Sequence, residues 1–143
     1  MLIGEFQSKL TEGQRLAIPK KFRGELGDSL IITRGYEGNL VVVNKGQFEK
    51  LAEGLADKPF IQGDISETTR FLLSDAAEVD LDEQGRFVLP ISLREEASIK
   101  NDVVFLGLLR WVEIWSLEKW LTHKSALKEK TVEITKRLAH LEK

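Results

Sequence analysis

The segment Asp82-Glu-Gln-Gly-Arg86 sets a carboxylate four residues ahead of an arginine, with a glycine just before the arginine. In a tight turn between two strands, such an aspartate accepts backbone N–H bonds and holds the guanidinium in a charge-assisted pair. Gly85 supplies the left-handed backbone that such turns need. An arginine held this way is preorganised, and its planar fork matches the O6 and N7 acceptors of guanine in the major groove. A surface ion pair that only stabilises a hairpin is the plainer use of the same residues. What favours recognition is repetition. A related turn ends at Arg15, and Lys9, Lys20, Lys21 and Arg23 cluster around it, suited to phosphate contacts.

Other chemistry finds no comparable set of residues. The chain has no cysteine, which removes disulfides, thiolate nucleophiles and thiolate zinc sites together. His123 and His140 lie 17 residues apart in a helical tail, a spacing that suits neither a triad nor a metal site. Gly35-Tyr-Glu-Gly38 lacks the spacing and the lysine of a phosphate-cradling loop and reads as a hairpin turn. Glu78, Asp80 and Asp82 form a solvated strand face, with Val79 and Leu81 on the other side, rather than a divalent-metal site. Trp111, Trp115 and Trp120 read as core packing rather than a stacking platform. The chain is therefore expected to be no enzyme and to use no metal, no cofactor and no small-molecule substrate.

The 143 residues carry a formal charge of −2, but the charge is segregated. Lys9 to Arg23 is about +4, Phe48 to Asp82 about −6, and Leu121 to Lys143 about +3. A basic surface is thus offset by an acidic one elsewhere. The longest run of apolar side chains plus glycine, Val103 to Leu109, falls far short of the roughly 20 residues of a membrane span. With no signal-like pattern at Met1-Leu-Ile-Gly-Glu-Phe6, the cytoplasm is the expected compartment and no membrane partner is expected.

The elements that must position the arginines come in two copies. Leu10–Asp28 and Leu81–Ile99 share six identities in nineteen at an offset of 71 residues, Arg15/Arg86, Pro19/Pro90 and Arg23/Arg94 among them. The match continues at an offset of 72, with Ile31-Ile32 on Val103-Val104 and Leu40-Val41-Val42 on Val112-Glu113-Ile114. Each unit of roughly 50 residues reads as a period-two strand, the turn, a short strand, a two-turn helix opened by proline, and a strand hairpin. Asn44 and Ser116 are suited to cap the helices that follow. A unit this small has a marginal core alone. The two are therefore expected to pair into one pseudo-twofold β-barrel-like body, walled by connector helices near Lys45–Ala56 and Ser66–Ser74 around Pro59.

LDEQGRFVLPISLRE, preceded by RFLLSDAAEVD and followed by DVVFLGLLRWVEIWS, resembles the second half of the MraZ family of bacterial transcriptional regulators. The stretch from Met1 to Val43 resembles its first half, and the likeness runs to about residue 122 with both SpoVT-AbrB-type motifs in frame. The resemblance implies a mainly β fold with short helices (α+β). Two AbrB-like swapped-hairpin halves would form one pseudo-twofold β-barrel, followed by a C-terminal helix. The units would be residues 1–48, a helical connector 49–74, residues 75–120, and an amphipathic helix 121–143. It carries Arg86 over as a DNA-facing residue with Asp82 and Gly85 as orienters, and Arg15 as its first-copy counterpart. Where the family has aspartate, the first copy has Thr11, whose hydroxyl can cap the turn but cannot form the ion pair, leaving Arg15 less constrained.

The same resemblance implies a nucleoid-associated, ring-like homo-oligomer regulating the division and cell-wall gene cluster, its own operon included. Two arginine contacts, at about 1–3 kcal/mol each, cannot select one site in a genome. Several subunits engaging short G-containing direct repeats of double-stranded DNA can do so, with repression as the outcome. The competing reading is an AbrB-like protein-interaction module without specific DNA binding. Trp120, Leu127, Ile134 and Leu141, spaced by seven with Leu138 beside them, form an amphipathic stripe that packs on its own barrel or on a neighbour.

Overall fold

The computed structural model describes residues 1–56 and 63–141. The first half contains β1 (Leu2–Lys9), β2 (Arg15–Ala17), α1 (Lys20–Leu26), β3 (Ser29–Arg34) and β4 (Leu40–Asn44). Helices α2 (Lys45–Ala56) and α3 (Gly63–Leu73) form the connector. The second half repeats the order with β5 (Ala77–Asp80), β6 (Arg86–Val88), α4 (Ile91–Glu96), β7 (Asp102–Leu109) and β8 (Val112–Ser116), and α5 (Leu117–Leu141) ends it. Pro59 lies outside the described residues, while the two connector helices stand where the sequence places them to within three residues at each end. No described helix is long and apolar enough to cross a membrane.

The strands form an α+β structure in which the two halves exchange pairing partners. A six-stranded antiparallel sheet runs β1-β7-β8-β4-β3-β5, and β2 pairs with β6 in a separate ribbon. Exchanging each strand for its counterpart in the other half simply reverses the sheet order. The ribbon shows where the pseudo-twofold passes. Leu16 pairs with Phe87, and these residues are 71 apart, so each sits opposite its own repeat equivalent. In the sheet, Val41 pairs with Glu113 at the other offset, 72.

Register corrects one detail of the sequence alignment. Val79 pairs with Leu30, whereas Ser8, the counterpart of Val79, pairs with Val103. Leu30 is therefore equivalent to Val103, Ile32 to Phe105 and Thr33 to Leu106, an offset of 73 in this strand. The second half has two extra residues before β7, and its hairpin is one shorter. Matching Ile31-Ile32 to Val103-Val104 exchanges inward and outward positions, because strand side chains alternate.

The expected closed barrel is also corrected. No ladder among the described strands joins β1 to β5, so the sheet stays open. The edge strands instead run into the ribbon through two chain turns, and α1 and α4 cover the rest of the inner face. One core cluster draws on both halves, with Leu16, Ile18, Phe22, Leu30, Ile32 and Val42 packed with Phe87, Leu89, Leu93, Val103, Phe105 and Ile114. Each such side chain contributes about 1.5–3 kcal/mol by leaving water. Pro19 and Pro90 occupy the N-cap rather than the first helical position, so each helix starts one residue later than the proline suggests. Asn44 Oδ1 accepts from the Gly46 N–H at 2.8 Å, and Ser116 Oγ from the Lys119 N–H at 3.1 Å, as expected of caps. Of the three tryptophans, Trp115 and Trp120 are buried in a second cluster on the outer face, but Trp111 is exposed at the β7–β8 hairpin. Core packing is thus the wrong reading for Trp111, whose indole Nε1 donates to Glu113 at 3.3 Å.

The cross-half ladder depends on close backbone approach at Gly107, where a Cβ would stand 2.5 Å from the Ile3 nitrogen and 2.6 Å from the Leu2 carbonyl carbon. Gly107→Ala is expected to lower the unfolding free energy by about 1–3 kcal/mol. Gly24→Ala, in α1 with open space around it, is expected to raise it by about 0.5–1 kcal/mol. Urea unfolding of the two variants checks both signs.

Candidate nucleic-acid interface

The ribbon's two faces differ. Leu16 and Phe87 point into the core, and strand alternation puts Arg15, Ala17, Arg86 and Val88 together on the opposite, solvent-facing side. Both arginines predicted from the sequence therefore share one surface of one two-stranded ribbon. Reciprocal bonds hold the ribbon against the turns, from the Ile18 N–H to the Gly85 carbonyl at 2.9 Å and from the Leu89 N–H to the Gln14 carbonyl at 2.8 Å.

The second turn has the full geometry expected of it. Asp82 Oδ1 accepts from the N–H groups of Gln84 and Arg86, both at 2.9 Å, and Oδ2 accepts from Arg86 Nε at 3.0 Å. The backbone bond from Arg86, and then the guanidinium and the Gln84 N–H, outweigh desolvation and hold this carboxyl below the usual carboxylate range. The Asp82 N–H in turn donates to the Arg86 carbonyl at 2.9 Å. Gly85 is needed twice over, since its φ is 73° and the Arg23 guanidinium lies against it where any Cβ would clash.

Arg23 thus bridges the two halves. Its Nε donates to the Ile18 carbonyl at 2.8 Å and its head packs over the second turn. Its repeat equivalent, Arg94, instead donates to the Ile99 carbonyl at 3.1 Å. Lys9 and Lys20 are exposed, and Lys21 is exposed with its ammonium 5.8 Å from the centre of the Phe6 ring.

The first turn is built differently. Thr11 Oγ1 donates to the Arg15 carbonyl at 3.2 Å, and among the described residues no side chain bonds the Arg15 guanidinium as Asp82 bonds Arg86. Gly13 has φ 79° and Gln14 φ 60°, so a non-glycine side chain occupies the left-handed region where the second copy has Gly85. Gln14 Oε1 is buried without a hydrogen-bond partner.

Sequence reasoning missed Val88, 55% exposed on the same face as Arg15 and paired with it across the ribbon. The alternation Arg86-Phe87-Val88 contains the signal, because burying Phe87 forces Val88 outward. Among the described residues no group of three or more His, Asp or Glu side chains could hold a metal ion. His123 packs on Trp115, with ring centres 4.7 Å apart, and faces Glu37 at 3.3 Å.

Replacing Gln14 by glycine removes both the left-handed strain and the orphaned amide oxygen. Gln14→Gly is expected to raise the unfolding free energy by about 1 kcal/mol. Chemical denaturation measures it, and a lower midpoint would show that the side chain's packing outweighs the strain.

Comparison with known proteins agrees with the duplicated architecture. Residues 1–71 and 72–141 each match the family model described as "MraZ protein, putative antitoxin-like". The chain is 39% identical over 141 residues to the transcriptional regulator MraZ of Syntrophomonas wolfei, covering 99% of both chains. It is 40% identical over 120 residues to the protein of that name from Thermoanaerobacter pseudethanolicus, 84% of each. With that of Heliobacterium modesticaldum it shares 36% identity over 138 residues, 96% of each. Matching in both halves and over nearly its whole length, the chain belongs to the MraZ family.

Proposed function

We propose that this chain is a sequence-specific DNA-binding transcriptional regulator. In this reading it represses the division and cell-wall gene cluster, its own operon included, by binding short G-containing direct repeats as a ring-like homo-oligomer at the nucleoid. The observation that carries it is the pair of arginines, Arg15 and Arg86, on the outward face of one two-stranded ribbon, since a ribbon of this width fits the major groove. Arg86, held by Asp82 and Gly85, reads a guanine. Arg15, capped only by Thr11, reads a second base with less preorganisation. Lys9, Lys20 and Lys21 take phosphates, and Arg23 acts chiefly by holding the second turn. The working units are the two AbrB-like swapped-hairpin halves, 1–48 and 75–120, with 49–74 and 121–143 as helical additions. The names of the relatives support transcriptional regulation. Needing neither cofactor nor substrate, the proposed activity is binding rather than catalysis.

Repeat-bearing DNA from upstream of the gene tests this. Arg86→Ala is expected to weaken binding by about 1–3 kcal/mol, about 5- to 150-fold, with selectivity lost at one guanine. Arg15→Ala is expected to lose less, since its guanidinium is not prepaid in one geometry. Lys20→Ala should weaken all sequences alike and lower the salt slope by about one. Fluorescence anisotropy at two salt concentrations resolves all three. Unchanged affinity in both arginine variants, or equal binding to scrambled DNA, would sink the proposal in favour of a protein-interaction module.

A further inference from the structure

The outward face of the ribbon carries two kinds of side chain in a fixed pattern. Arg15 pairs with Val88, and Ala17 with Arg86. The two arginines thus occupy one diagonal of a four-cornered patch, and Ala17 and Val88 the other. Under the pseudo-twofold Arg15 corresponds to Arg86 and Ala17 to Val88, at an offset of 71 residues. Each strand therefore presents an arginine followed two residues later by an apolar side chain.

Neither packing nor strand formation accounts for Val88. Its neighbours Phe87 and Leu89 are buried, and alternation turns Val88 outward, away from both core clusters. The equivalent strand forms in the same ladder with Ala17, so the ribbon needs no branched side chain there. The Leu89 N–H bond to the Gln14 carbonyl and the pairing with Arg15 hold the backbone around Val88. A β-branched side chain also has little rotamer freedom to lose. A rigid, exposed apolar group thus stands beside both guanidinium groups.

The surroundings of the ribbon divide the work between the halves. Lys9, Lys20 and Lys21 of the first half correspond to Asp80, Ile91 and Ser92 of the second. Ser92 Oγ donates to Asp75 Oδ1 at 2.9 Å and brings no positive charge. With DNA on this face, phosphate contacts come from the first half. The second half supplies the oriented arginine and the larger apolar corner, both of which act on base edges.

Groove chemistry then fixes what Val88 can meet. Base edges in the major groove present donors and acceptors, and the one apolar group among them is the C5 methyl of thymine. A duplex lying on both arginines takes Val88 into the same groove and strips its water. Opposite a donor or acceptor, that burial leaves a polar group without a partner. Opposite a methyl, apolar area leaves water on both sides. Residues two apart on a strand lie about 6.7 Å apart, about two base-pair steps.

We propose that Val88 is a further specificity-determining residue, which reads the methyl group of a thymine within about two base pairs of the guanine taken by Arg86. This rests on the DNA-binding reading above and adds to it a base that neither arginine specifies. Ala17, the smaller counterpart, reaches less far into the groove, so the thymine preference is stronger on the side of the second half.

Deoxyuridine in place of thymine, one position at a time in each repeat of the upstream DNA, removes only the methyl group. Fluorescence anisotropy with the unsubstituted protein is expected to show a loss of about 4-fold per repeat at one such position. Val88→Ala is expected to bind the thymine duplex more weakly by a similar factor and to bind the thymine and uracil duplexes alike. Comparing two duplexes within one variant keeps the result independent of that variant's stability. Uracil tolerated at every position, while Arg86→Ala still weakens binding, would overturn the methyl contact and leave the DNA reading standing. So would a uracil loss that persists undiminished in Val88→Ala, since the methyl would then lie against another residue. Equal binding of the unsubstituted protein to repeat and scrambled DNA would overturn the DNA reading and this contact together.

Discussion

Neither repeat can satisfy its own backbone. Within each half only one hairpin pairs internally, β3 with β4 or β7 with β8; every other ladder crosses to the other copy. β1 depends on β7, β5 on β3, and β2 on β6, and a strand without its partner leaves donors and acceptors unpaired beside an apolar core. Reciprocal exchange makes two marginal units of roughly 50 residues into one body with a shared interior. It also fixes the spacing of the two arginines. Both project from a ribbon whose register is set by Leu16 packing beside Phe87, so their separation follows from core packing rather than from a flexible loop.

Joining the copies in one chain removes the requirement that they be identical, and the turns have diverged within that freedom. Asp82 accepts three hydrogen bonds, one from a guanidinium, whereas Thr11 donates a single hydroxyl bond to a carbonyl. Charge-assisted bonds are roughly twice as strong as neutral ones, so the second turn is the stiffer. It is also the one that titrates. The Asp82 carboxyl lies below its ordinary value, so its contribution is complete above the usual carboxylate range and is lost as pH falls through the depressed value. In the first turn the position of Asp82 is held by Thr11, which carries no charge to pair with Arg15. Arg23 adds a further asymmetry, since the first half braces the second turn in a way that Arg94 does not return.

Much of this was legible in the sequence because the turn chemistry is local. Asp82, Gly85 and Arg86 lie within five residues, and their types dictate their mutual geometry. The strand order within each half, the capping residues and both connector helices follow from periodicity for the same reason. What was not legible depends on the partner half. No local signal says that β1 pairs with β7 or that Arg23 lies over Gly85 rather than toward phosphate. A two-residue insertion before β7 is invisible among the apolar residues of both strands, since Ile31-Ile32 fits Val103-Val104 as well as Val104-Phe105 by type. Barrel closure failed for a related reason, because whether edge strands meet depends on their length and β5 is only four residues long. Trp111 reads as core by composition, but it stands at the β7–β8 hairpin, exposed and bonded to Glu113.

The pseudo-twofold is kept inside the molecule and relaxed outside it. Inward-facing equivalents stay apolar, as in Leu30 with Val103, Ile32 with Phe105, Leu40 with Val112 and Val42 with Ile114. Each packs against residues of both copies, so a polar substitution at any of them would leave an unpaired group in the shared core. Outward-facing equivalents have no such tie and differ freely, as Thr33 does from Leu106, Val41 from Glu113 and Val43 from Trp115. The two sides therefore answer to different demands. The ribbon with its arginines lies on the inner side of the sheet, while α2, α3 and α5 lie on the outer side. Substitutions among the helices can change what covers the sheet without moving the arginines, because the six-stranded layer and its close-packed core stand between them.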